Sequence, residues 1–152
     1  MKYIKLYEQV EHGFFSAIRY GDIKGIKELI KNGADINIQN KIGRTPLIFS
    51  VLIANATEFK TLKIMKLLID NGAQLDIQDG EGQTALIKAS RGGKLNTIEF
   101  LIEAGSDISI EDDFGDDFLY FLDEKMVKEL EGKYPEKFEE YQMRKDVKNY
   151  NI

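Results

Sequence analysis

Chemistry needs particular side chains brought together, and this chain of 152 residues offers few candidates. His12 is the only histidine. A histidine base would need a nucleophile beside it and a group to orient it, and the sequence nominates neither. A zinc site would need several carboxylates to complete one histidine, because cysteine is absent. The same absence removes disulfides and thiolate chemistry. Neither a Gly-Lys-Ser/Thr phosphate loop nor a Gly-x-Gly-x-x-Gly turn occurs. Gly80-Glu81-Gly82 and Gly92-Gly93 fall in turns and need no phosphate. The densest chemical feature is acidic: residues 103–124 hold nine carboxylates and no base. Its Asp spacing before Gly115 does not match a calcium loop. No cofactor and no catalytic residue is expected.

The rest of the charge is graded. Residues 1–66 carry a net +5, 67–102 a net -2, 103–124 a net -9 and 125–152 a net +1. A linear arrangement of the segments would convert this order into a field running from positive to negative. Apolar content of 43% beside 31% charged residues fits an ordinary water-soluble domain. The N-terminus has no continuous apolar stretch and no run of eighteen apolar residues exists, so neither a signal peptide nor a membrane span is expected. By elimination, a cytoplasmic protein is expected.

The elements that position these groups repeat. Asn32-Gly33-Ala34-Asp35-Ile36-Asn37-Ile38-Gln39-Asn40 is echoed by Asn71-Gly72-Ala73-Gln74-Leu75-Asp76-Ile77-Gln78-Asp79, and again by Ala104-Gly105-Ser106-Asp107-Ile108-Ser109-Ile110-Glu111-Asp112. The glycines are spaced by 39 and then 33 residues, the period of a repeat array. Leu29-Ile30, Leu68-Ile69 and Leu101-Ile102 close apolar helical stripes, with Ile26, Met65 and Ile98 three residues before those leucines. Gly33, Gly72 and Gly105 follow where a helix stops in a left-handed turn. Ile36/Ile38, Leu75/Ile77 and Ile108/Ile110 alternate as a short extended segment would. Asn40 and Asp79 open tight turns. Thr45 and Thr84 cap the next helices, and Pro46 stands at a first helical position. The small residues Ala17, Ser50 and Ala89 align, as close helix packing requires.

In Gly43-Arg44-Thr45-Pro46-Leu47, Gly82-Gln83-Thr84-Ala85-Leu86 and the three Gly-Ala-Asp-like segments, the chain resembles the ankyrin repeat family. The resemblance implies an all-α solenoid of helix-turn-helix units with short β-turn fingers. Its units are expected at about 12–40, 41–78 and 79–111, with a partial unit at 112–122, so that 1–122 is the array and 123–152 a C-terminal helical cap. His12 aligns with the later cap threonines. Six extra residues fall around Leu52–Thr61, and Asp117 replaces the threonine of the fourth unit. In the cap, Pro135 opens a helix on which Tyr134, Phe138 and Tyr141 share a side.

The family resemblance implies a non-enzymatic protein-binding module. Its contacts would come from the finger tips Lys41, Ile42, Arg44, Glu81, Gln83, Asp113, Phe114 and Asp116, and from the inner-helix ends Arg19, Tyr20, Leu52, Ile53 and Arg91. Phe59 in the insertion and Asp117 in the acidic run complete the set. Ile42 and Phe114 hold one slot in two tips; aromatics and Arg are enriched in binding hot spots, and exposed apolar groups aligned along a groove are less usual than scattered ones. The acidic run points to a basic protein partner such as a toxin or nuclease, with an inhibitor or immunity protein as the sharper reading and an adaptor or host-directed effector as the other. Nucleic acid is disfavoured by the acidic end, and no membrane partner is expected.

Overall fold

The structure is a computed structural model and describes residues 13–53 and 57–150. His12 and residues 54–56 lie outside them. Helical backbone covers residues 13–20 (α1), followed by α2 (Ile23–Lys31), α3 (Pro46–Val51), α4 (Glu58–Asp70), α5 (Ala85–Arg91) and α6 (Leu95–Ala104). A short 3-10 helix spans Phe118–Phe121, and α7 (Glu124–Lys133) and α8 (Pro135–Tyr150) end the chain. There is no strand among the described residues.

The helices begin and end where local chemistry directs. Thr45 and Thr84 accept hydrogen bonds from the amides of Ile48 and Ile87, satisfying donors that the first helical turn leaves unpaired. Pro46 occupies the first turn of α3. In the fourth unit Asp117 takes over from threonine and accepts from the amide of Leu119, but only one 3-10 turn follows. The stops fall at Gly33, Gly72 and Gly105, each left-handed, with φ of 76°, 94° and 102°.

The first helices (α1, α3, α5, 3-10) and second helices (α2, α4, α6) alternate along the stack. α5 packs on α6 and on the 3-10 helix, α3 on α4 and α5, and α4 on α6. Ile26, Met65 and Ile98, with Leu68 and Leu101, are all fully buried, as the repeated stripe requires. Ser50 and Ala89 are also fully buried, and Ala17 is half-buried. The segments expected to be extended are turns without strand pairing: Ile38 donates to Asp35 O at 3.2 Å. Their apolar residues still face inward, with Ile38 and Ile108 buried and Ile36 and Leu75 packed against the core.

The insertion lies between α3 and α4. The second connection of this kind, between α5 and α6, needs only Gly92, Gly93 and Lys94. The extra residues lengthen the first connection and give α4 13 residues against 10 in α6. Beyond the repeats, α8 lays Phe138 and Tyr141 over the end of the core, where the Phe138 ring meets Phe118 edge-on at 6.2 Å.

Candidate binding face

The fingers are built by Asn or Asp at one position. Asn40 Oδ1 accepts from the amides of Ile42 and Arg44, Asp79 Oδ1 from those of Glu81 and Gln83, and Asp112 Oδ1 from those of Phe114 and Asp116. Each side chain therefore closes its own turn. The sequence marked the first two as turn formers; the third was hidden in a run of acids.

The fingers are also tied to one another. Gly80 N donates to Ile42 O at 3.0 Å and Asp113 N to Glu81 O at 3.3 Å. Gln39 Nε2 bridges Gly43 O (2.6 Å) and Gln78 O (3.0 Å), and Gln78 Nε2 repeats the bridge to Gly82 O (2.6 Å) and Glu111 O (2.9 Å). Nothing in single-sequence patterning marked Gln39 and Gln78, although their identical place in two repeats was the available signal.

Beneath the tips runs a buried polar rail. Asp79 Oδ2 pairs with Lys88 Nζ at 2.8 Å, and Arg44 Nε lies 3.6 Å away from the same oxygen. Lys88 also reaches Glu81 at 2.8 Å. One finger further, Gln83 Nε2 donates to Asp112 Oδ2 at 2.7 Å while its Oε1 accepts from Arg91. Burial alone would raise the Asp79 carboxyl, but hydrogen bonds from Lys88 and from two backbone amides outweigh it and hold the group below its ordinary value. Asp112 follows the same pattern, with Gln83 and two amides overcoming burial.

Two expected contact residues are thereby corrected. Gln83 is only 1% exposed and Asp117 only 4%, so neither presents its side chain to a partner. Gln83 links two fingers. Asp117 caps the 3-10 helix and accepts from Tyr141 Oη at 2.6 Å and from Lys145 Nζ at 2.8 Å. Burial, and then the bond to Asp117, push the Tyr141 phenol up to about 12.

The remaining candidates are at the surface. Phe114 (81%), Tyr20 (77%), Phe59 (77%) and Ile42 (53%) are strongly exposed. Lys41, Glu81, Asp113, Arg19 and Arg91 are exposed too, and Arg44, Asp116, Leu52 and Ile53 half-buried. Arg44 and Glu81 share with Leu52, Val51, Lys88, Arg91, Gly92 and Lys94 an open cleft of about 490 Å³, which joins fingers to first-helix ends as one face. Arg19 stacks over Phe49 at 5.7 Å and Arg91 over Phe121 at 5.2 Å. Phe59 does not belong to this face. It sits in the first turn of α4 and does not line the cleft.

The acidic run is largely engaged within the chain. Arg144 pairs with Asp107 (3.0 Å), Lys145 with Asp117, Lys148 with Glu111, Lys133 with Glu103 (3.9 Å) and Lys128 with Glu124 (2.6 Å). Asp123 caps α7 by accepting from Met126 N. The remaining acids of the run include Asp113 and Asp116, both at the third finger tip. Among the described residues no group of three or more His, Cys, Asp or Glu side chains is placed to hold a metal ion, and no helix is long and apolar enough to cross a membrane.

A stack of helix pairs tied by fingers through equivalent residues defines a repeat protein of the helix-turn-helix kind. The family model described as ankyrin repeats (3 copies) matches residues 14–112, and the chain belongs to the ankyrin repeat family. No curated protein matches the chain. Ankyrin repeats mark the chain as a protein–protein interaction module.

Proposed function

We propose that the chain binds another protein on a concave face formed by the finger tips and the first helices, and that it does so without catalysis. The exposed Ile42 and Phe114 carry the reading: both occupy one slot on fingers whose backbones are hydrogen-bonded into a single row. Apolar side chains mounted on an already ordered backbone bind without the cost of ordering a loop. In its sharper form the module works by covering a toxin or enzyme, as an intracellular inhibitor or immunity protein. A preset face suits blocking of this kind. The basic partner first inferred from the acidic run has less support, because most of those carboxylates face the chain's own lysines and arginines.

The adaptor reading has its own observation. Phe59 on α4 and the α8 residues Met143 (62%) and Val147 (52%) are exposed as well, so apolar groups other than the finger tips are available to a second partner. Capture from the native lysate, followed by titration of the isolated partner, separates the two. Ile42→Asp with Phe114→Asp should abolish binding while changing stability by no more than about 0.5 kcal/mol, as surface substitutions do. A stoichiometric loss of the partner's activity supports inhibition; a ternary complex broken by Phe59→Asp supports the adaptor. Undiminished binding by the double Asp variant would sink the finger-face reading.

A further inference from the structure

We propose that the segment received by the cleft between the first and second fingers is an acidic peptide stretch of the partner. The inference rests on the reading of the finger face as the binding surface and names the chemistry of what it binds. Four cations line the cleft: Arg44, Lys88, Arg91 and Lys94. Two of them have carboxylate partners. Lys88 lies between Asp79 and Glu81, and Arg44 approaches Asp79 at 3.6 Å with its buried Nε in no hydrogen bond. The other two are held by neutral acceptors. Lys94 Nζ donates to the backbone carbonyl of Val51 at 2.6 Å, and Arg91 Nη1 to the amide oxygen of Gln83 at 2.9 Å.

Holding a cation on a neutral acceptor fixes its position without cancelling its charge. Arg91 and Lys94 are thus fixed positive charges at the cleft rim, and the Arg91 guanidinium lies over the Phe121 ring at 5.2 Å. Asp112 lies below the surface, capped by Gln83. Lys41 on the first tip and Arg19 on α1 are exposed cations as well. A guanidinium presents its donors in a fork that fits a carboxylate. Glu81 and Asp112 act on Arg91 through space without touching it, so a carboxylate side chain of a partner would give Arg91 and Lys94 their direct ion pairs. A uniformly charged polyanion fits less well: Glu81 lines the cleft on the second tip, and Asp113 and Asp116 occupy the next tip on the same row.

The test is selection of short random peptides on the full chain, with oligothymidylate as a second probe. Enriched peptides are expected to carry clustered Asp and Glu. Arg91→Glu with Lys94→Glu should weaken them about tenfold, mostly through slower association. The affinity of wild type should fall with salt and that of the variant should not. If circular dichroism shows the double Glu variant to be unfolded, Arg91→Gln with Lys94→Gln carries the same comparison. Selected peptides without excess acid, but lost with Ile42→Asp and Phe114→Asp, would overturn the acidic-segment inference and leave the binding face standing. Acidic peptides indifferent to both sets of variants would overturn both. Oligothymidylate bound as tightly as the peptides, and lost in the Arg91/Lys94 variant, would replace the peptide by nucleic acid.

Discussion

Gly82 and Gly115 occupy the same finger position with left-handed φ of 73° and 83°, but their surroundings differ. A Cβ on Gly82 would stand 2.6 Å from the backbone amide of Asp113, whereas at Gly115 it would meet nothing within 4 Å. Both Ala variants bear a conformational cost of about 1–2 kcal/mol. Gly82→Ala should lose clearly more than Gly115→Ala in urea denaturation, because only Gly82 has a following finger against it. Equal losses would mean that finger contact contributes nothing. Asp79 is the second test at this scale. Asn40 does the same turn-closing work without charge, so Asp79→Asn should keep the fold. It should still cost about 2 kcal/mol at neutral pH, less than a fully orphaned buried charge, since Glu81 remains beside Lys88. The sign of the pH effect follows from the lowered Asp79 carboxyl: its contribution is present above the ordinary value near about pH 4 and is lost as pH falls below that. Wild-type stability should drop on acidification over that range more steeply than that of Asp79→Asn. Asp76, raised by burial beside Asp107, pulls the other way and is common to both proteins.

At the scale of elements, the legible parts were those with a local cause. Capping threonines, stop glycines and the three-residue spacing of Ile26 and Leu29 each act within a few neighbours, and the helices follow from them. Gln83 misled because its place in the sequence is a tip while its side chain turns back under the next finger, a long-range choice set by Asp112 and Arg91. The acidic run misled for the same reason, Arg144 and Lys148 of α8 meeting Asp107 and Glu111 from 37 residues away. That separation makes the cap a distinct element with its own stability. Exposed ion pairs contribute little, so apolar contact must hold α8 down. Phe138→Ala should cost about 3–4 kcal/mol. In native-state hydrogen exchange the α8 amides should lose protection before those of α5 and α6. Uniform loss along the chain would show instead that cap and repeats open together.

Across the whole molecule, the sequence disclosed a repeat array but not where its charge would end up. The graded charge predicted a negative end; the folded chain turns most of that negativity toward its own cap and leaves a positive cleft in the middle of the finger row. The repeats also treat their two ends differently. Fingers are joined through the same atoms whether the glycines before them are 39 or 33 residues apart. The finger end behaves as a gauge that fixes distance from one unit to the next, and the opposite end as slack that takes up any difference in length. A peptide tag spliced into the connection between α3 and α4 should therefore leave the melting temperature within a few degrees of wild type, while one added residue between Asn40 and Arg44 should lower it sharply. Evolution and engineering would then have separate territories on this scaffold: variation in length along one margin, and variation in residue type, at constant length, along the other.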